Sequence, residues 1–222
     1  MRNLILCAAS AAVLVLAASC GDDDGGTGPG ESGAGDSVYY PLAVGNTWEY
    51  DRSGTYNVDS VEYGISGEAT VEITGTATHS QGWDVFVEVS TVNDTISGFT
   101  TNSAVCTVYV WQDEDGMHGC PHLGDTDSCW TVPFPLVAGN TWTYATQPPT
   151  TGEVLSMDVD VTVPAGSFEE CAEISTVCLE QGNYSNTTDY ARNVGMVRNV
   201  FTQEAGVFNT TVDMTLESYQ VQ

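Results

Sequence analysis

Past residue 38, apolar and polar positions alternate with a period of two, and no stretch places apolar residues at helical spacing. "MDVDVTV" sets Met157, Val159, Val161 and Val163 on one face and Asp158, Asp160 and Thr162 on the other. "VDMTLES" does the same with Val212, Met214 and Leu216 against Asp213, Thr215 and Glu217. "WDVFVEVS" predicts Trp83, Val85, Val87 and Val89 inward, with Asp84, Phe86, Glu88 and Ser90 on the wet face. Alternation with one solvated face predicts antiparallel sheet covered on one side. "AVCTVYVW", residues 104–111, is apolar on both faces and predicts a central strand.

One decamer occurs twice. "PLAVGNTWEY" at 41–50 and "PLVAGNTWTY" at 135–144 agree at seven of ten positions, two of the others exchanging Ala and Val. Gly45-Asn46 and Gly139-Asn140 supply a turn that admits positive φ. Thr-Trp-x-Tyr then opens a strand whose Trp and Tyr share a face. The aromatic pairs (Trp48 with Tyr50, Trp142 with Tyr144) suit a packing plug that closes a sheet end, ahead of a sugar-stacking platform. The architecture expected is all-β, a strongly curved antiparallel sheet or half-barrel in a single domain spanning 38–222. Two small tandem β units are the alternative.

The N-terminus changes where such a domain would sit. Residues 1–19 read as a signal peptide: Arg2, an apolar run from Leu4 to Leu16, then Ala17-Ala18-Ser19. The run is shorter than the roughly 20 residues a membrane-spanning helix needs. "LAASC" is similar to a bacterial lipobox, which makes Cys20 the lipidated residue and a lasting membrane attachment. Ordinary cleavage is the alternative, and it would leave six cysteines able to form three bridges. Residues 20–37 are the lipidated Cys and a disordered acidic tether, since "GDDDGGTGPGESGAGDS" holds no large apolar residue. Asp22-Asp23-Asp24 lacks the later ligand positions of a calcium loop.

Charge narrows the partners. Four Lys+Arg, all arginine and one of them Arg2, face thirty Asp+Glu. Such a surface repels phosphate backbones and excludes nucleic acid as a partner class.

Five motifs occur in a fixed order: "YYPLAVGNTWEY", "FPLVAGNTWTY", "VTVPAGSFEECAEI", "DYARNVGMVRN" and "LESYQVQ". Together they resemble a family of uncharacterised bacterial envelope lipoproteins, over nearly all of the folded part. The resemblance implies a strongly curved antiparallel sheet similar to the half-barrels of the lipoprotein carriers LolA and LolB, and carries over no catalytic residue. The missing lysines and the cysteine-rich middle depart from that pattern. Independently, Pro164 ends a strand and turns it toward Phe168, and Gly195 predicts a bulge or kink.

Candidate chemistry is sparse. An exported chain is oxidised, so Cys106, Cys120, Cys129, Cys171 and Cys178 are disulfide candidates. Cys120 and Cys129 bracket a turn-rich loop and are expected to pair. Cys171 and Cys178 share one predicted strand and lie too far apart to bridge each other, so one of them is expected to reach Cys106. His118 and His122, with Cys120, form a candidate copper or zinc site. No nucleophile motif accompanies His79, and no phosphate loop occurs. Glu169-Glu170 carries no information among thirty carboxylates.

The functional expectation is a non-enzymatic, lipid-anchored envelope protein of binding type, without cofactor, at the bacterial outer membrane or cell surface. A periplasmic or secreted protein is the alternative location. Its partners would be the membrane, through the N-terminal lipid, and an apolar small molecule or envelope protein held on the curved sheet. A structural or coat lipoprotein without ligand and a metal-binding loop protein are the alternative functions.

Overall fold

The computed structural model describes residues 39–98, 102–124, 129–144, 149–178 and 183–222. The expected signal peptide, lipidated Cys20 and acidic tether lie outside the described residues. Twelve strands follow in order: β1 (Thr47–Val58), β2 (Val61–Thr78), β3 (Asp84–Ile96), β4 (Asn102–Gln112), β5 (Gly116–Cys120), β6 (Trp130–Pro133), β7 (Thr141–Tyr144), β8 (Thr150–Val163), β9 (Gly166–Cys178), β10 (Tyr184–Ala191), β11 (Gly195–Ala205) and β12 (Phe208–Gln220).

All twelve form one antiparallel sheet ordered β6-β5-β4-β3-β2-β1-β12-β11-β10-β9-β8-β7. The sheet is two six-stranded meanders, β1–β6 and β7–β12, joined along β1 and β12. It curls until its outer strands, β6 and β7, come into contact, giving a nearly closed barrel. The expectation of a single curved all-β domain therefore holds, with closure going beyond a half-barrel. Tandem units do not form, because twelve residue pairs of β1 and β12, broken only by a register shift between Glu49 and Tyr50, weld the halves together.

The repeated decamer opens each meander with the same turn. In the first copy Gly45 N–H donates to the Ile73 carbonyl at 2.8 Å, and Ile73 N–H returns to the Asn46 carbonyl at 2.9 Å. In the second, Gly139 N–H donates to Val154 at 2.7 Å and Val154 N–H to Asn140 at 2.9 Å. Gly45 and Gly139 both hold positive φ, 93° and 87°, a conformation glycine adopts without Cβ strain. The repeat is thus a hairpin-entry device used twice.

Apolar side chains point inward: Trp48 and Tyr50 (β1), Ala69, Val71 and Ile73 (β2), Val154 (β8), Ile174 (β9), Met214 and Leu216 (β12). Outward positions such as Asp51, Glu68, Glu72 and Glu217 are exposed. This is the reverse of a lipid-spanning barrel, whose outer band is apolar. No helix among the described residues is long and apolar enough to cross a membrane.

Glycines let aromatic rings lie flat at both outer strands. Trp130 of β6 covers Gly119, and Trp142 of β7 covers Gly152, each pair being direct cross-strand neighbours. An aromatic laid over an edge glycine restores the packing that the missing side chain would give.

One end of the barrel, where β1 begins, is crossed by other parts of the chain. The β8–β9 hairpin, its ladder interrupted between Val154 and Val161, brings Ala165 N–H to the Leu216 carbonyl at 3.0 Å. Pro164 and Ala165 form its turn. Residues 39–42 form a strap over the same end.

Candidate functional site

The strap carries an aromatic group into the barrel. Tyr40 stacks on Trp48, with ring centroids 6.0 Å apart, and meets Tyr190 of β10 edge-on at 6.2 Å. Its hydroxyl donates to Glu88 Oε2, and Gln112 Nε2 donates to its carbonyl at 2.9 Å. Tyr39 donates to the Glu170 carbonyl at 3.4 Å, and the Arg192 guanidinium lies 4.7 Å above its ring. The strap therefore ties β3 and β4 to β9 and to the β10–β11 turn.

Glu88 is the chemical centre of this interior. It is 0% exposed, flanked by Ile73 and Val108 in the neighbouring strands. This corrects the predicted orientation of β3: Glu88, Ser90, Val92 and Asp94 point inward. The alternation was misread because Val85, Trp83 and Trp111 cover the outer side and make both faces apolar. Burial pushes the Glu88 carboxyl up to about 7, opposed only by the hydrogen bond from Tyr40. Its Oε1 is buried with no hydrogen-bond partner. Tyr40, Tyr50 and Tyr190 are held neutral well above the ordinary phenol range, by burial first and then by the nearby Glu88.

A second group of orphaned polar atoms lies across the barrel. Trp142 Nε1, Tyr144 OH and Thr176 Oγ1 are buried without partners, as is Ser90 Oγ beside Glu88 on β3. Gly152 stands between Thr176 and Trp142 in the ladder, so these polar groups cluster around the glycine that the Trp142 ring covers. Tyr190 links the two groups: it is coupled electrostatically to Glu88 and to Tyr144. Farther along the lumen, polar side chains satisfy one another. Arg52 donates to both Asp94 oxygens at 2.9 and 3.0 Å, and Asn199 donates to Asn186 at 2.6 Å and Thr188 at 2.8 Å.

The sequence-predicted residues lie elsewhere. Cys120 and Cys129 are joined by a disulfide. Cys171, mid-strand in β9, and Cys178, at its end, are both free thiols, so neither makes the expected bridge to Cys106, which lies beside Ser90 on β4. Burial, then Asp189 and Asp160, pushes the Cys171 thiol up to about 11.

His118, His122 and Cys120 do not assemble as a metal site. Cys120 is oxidised, His122 is exposed, and both His118 ring nitrogens are engaged, with Thr131 at 2.8 Å and Asp113 at 2.9 Å. No group of three or more His, Cys, Asp or Glu able to hold a metal occurs among the described residues. His118 instead stacks on Trp111 at 4.9 Å, and His79 on Trp83 at 4.5 Å, in a column outside the barrel. Trp83 and Trp111 therefore lie outside the core, whereas Trp48 is buried within it and Trp142 packs against it. The strand at 104–111 is correspondingly not central but third from the sheet's end, covered outside by this column.

No family model and no curated relative matches the chain. Among solved structures it is similar to a "putative lipoprotein" from Parabacteroides distasonis, with 14% identity, a TM-score of 0.43, and coverage of 82% of this chain and 98% of that one. A "putative exported protein with YmcC-like fold" from Bacteroides fragilis shows 13% identity and a TM-score of 0.45, over 83% of this chain and 99% of that one.

Proposed function

We propose that the chain is a non-enzymatic binding protein of the bacterial envelope, held to a membrane through a lipid on Cys20, with its ligand site inside the barrel. The observation that carries this reading is the set of buried, unpartnered polar atoms within an apolar interior: Glu88 Oε1, Ser90 Oγ, Trp142 Nε1, Tyr144 OH and Thr176 Oγ1. Leaving a buried polar atom unpaired costs about 1–3 kcal/mol, so several facing one lumen call for a function. Apolar walls with a few convergent polar groups are the make-up of small-molecule sites. Groups of perturbed pKa, here Glu88, concentrate at such sites.

The ligand class that fits is a small molecule with an apolar body and polar ends. The orphaned polar atoms narrow the apolar small molecule expected on the curved sheet to one with polar ends, and a likeness to lipoprotein carriers stays at the level of curved-sheet architecture.

Native mass spectrometry of the full-length protein extracted from membranes tests this. The expected spectrum shows an acyl modification at Cys20 and a non-covalent small molecule, the latter depleted in a Trp142→Phe, Thr176→Val double variant. A protein of acylated mass alone, identical in wild type and variant, would refute the binding assignment.

A further inference from the structure

Resting on the interior site just described, we infer that Glu88, walled by Tyr40, Tyr50 and Tyr190, is a receptor for an organic ammonium group. The chain places a carboxyl at the least exposed position of β3, and among the described residues no cation meets it. The three arginines past the leader are occupied elsewhere: Arg52 on Asp94, Arg192 over Tyr39, and Arg198 on Asp213 at 2.8 Å. There is no lysine. Of the two carboxyl oxygens, Oε2 accepts from Tyr40 and Oε1 has no partner. The titratable groups coupled to it are Tyr40 from the strap, Tyr50 from β1 and Tyr190 from β10, all neutral phenols. Ser90, on the same face of β3, is an uncharged neighbour.

Such a surround selects by charge. Aromatic faces attract a cation through their quadrupole, more strongly when water is excluded. A buried carboxylate is costly alone but favourable when a cation hydrogen-bonds to it. A neutral hydroxyl guest can donate to Oε1 but brings no charge to hold the carboxylate ionised, whereas an ammonium guest does both. Binding therefore releases a proton from Glu88, and affinity falls as pH drops through its folded pKa. The strap that covers the site is four residues of irregular chain immediately after the tether, so entry requires displacing residues 39–42 rather than a strand.

The test uses the full chain with n-hexylammonium and its neutral counterpart n-hexanol, by calorimetry and thermal shift at pH 8 and pH 5.5. At pH 8 hexylammonium is expected to bind at least tenfold tighter than hexanol, the preference shrinking severalfold at pH 5.5 and vanishing in Glu88→Gln. Unliganded Glu88→Gln is checked for a cooperative melt, and Tyr219→Phe, an exposed phenol on β12 away from the site, should retain the preference. Equal binding of the two probes, or a preference kept in Glu88→Gln, overturns the ammonium assignment and leaves an interior site for neutral molecules. Binding of neither probe overturns it as well; with a bare native mass spectrum, the interior-site reading falls too.

Discussion

The two copies of the decamer make the same turn and then part company. Trp48 is 1% exposed, its indole donates to the Val194 carbonyl, and Tyr50 donates to the Met196 carbonyl at 3.1 Å. Asn46, fully buried, donates to Pro41 and accepts from Gln222 N–H at 3.0 Å. In the second copy Asn140 is exposed, Trp142 is half-buried, and neither the Trp142 indole nor the Tyr144 hydroxyl has a partner. The difference follows from place. β1 sits mid-sheet, where the carbonyls of Val194 in the β10–β11 turn and Met196 of β11 accept its donors, whereas β7 ends the sheet. One short sequence can thus close a core in one setting and present polar groups to a lumen in another.

Truncation should separate the copies most. Trp48→Ala is expected to cost about 4 kcal/mol, from lost packing and an unpaired Val194 carbonyl. Trp142→Ala should cost about half that or less, since its indole loses no bond. Denaturant melts of both check this; equal losses would erase the distinction.

Next in size is Glu88→Gln, with a defined pH dependence. Below the ordinary carboxyl value of 4.5 folded and unfolded states are both protonated, and Glu88 costs nothing. As pH rises the unfolded chain ionises first, so wild-type stability falls until the folded value of about 7 and stays low above it. Glu88→Gln should therefore be more stable than wild type by about 3 kcal/mol at pH 8, the gain fading toward pH 4.5. Urea melts across that range are the measurement, and a gain that grows on acidification would be the wrong sign.

Glycine substitutions sharpen the comparison further. A Cβ at Gly152 would sit 2.2 Å from Trp142 Cε2, so Gly152→Ala must expel the ring, at about 1–3 kcal/mol. Trp142 fluorescence should shift to the red. Gly195→Ala meets Trp48 at a looser 3.1 Å, and its cost comes mainly from a φ of 105°.

The smallest contrast is between phenols. Tyr50→Phe should lose about 1 kcal/mol with its bond to Met196, while Tyr144→Phe, removing an orphaned hydroxyl, should be neutral or slightly stabilising.

How far the chain announces this arrangement depends on the element. Residues 157–163 and 212–217 show their inward faces plainly, because each has charged residues on one side only. The turns at Gly45 and Gly139 are legible from Gly-Asn before Thr-Trp, and the Pro164 turn from a residue that cannot donate to a ladder. β3 was misread because period two gives the alternation and not its phase. Phase is set by pairing, here Ile73 and Val108 against Glu88. Gly195 opens β11 directly after the β10–β11 turn, paired with Ala191, and the nearby bulge falls between Asp189 and Tyr190. Tyr40 is not singled out by its sequence neighbours, since apart from Trp48 its partners Glu88, Gln112 and Tyr190 lie 48 residues or more away. The cluster of His118, His122 and Cys120 was conspicuous in composition, but the disulfide and the Trp111 stack claim two of its members.

The central claim is that the second copy faces an occupiable lumen while the first is sealed, and indole N–H resonances test it most directly. In the full-length protein as isolated, and again after unfolding, extraction of small molecules and refolding, Trp48 should keep one slowly exchanging signal, while the Trp142 signal should move and exchange faster once stripped. An unchanged Trp142 signal, or a change at Trp48 of equal size, would contradict the account.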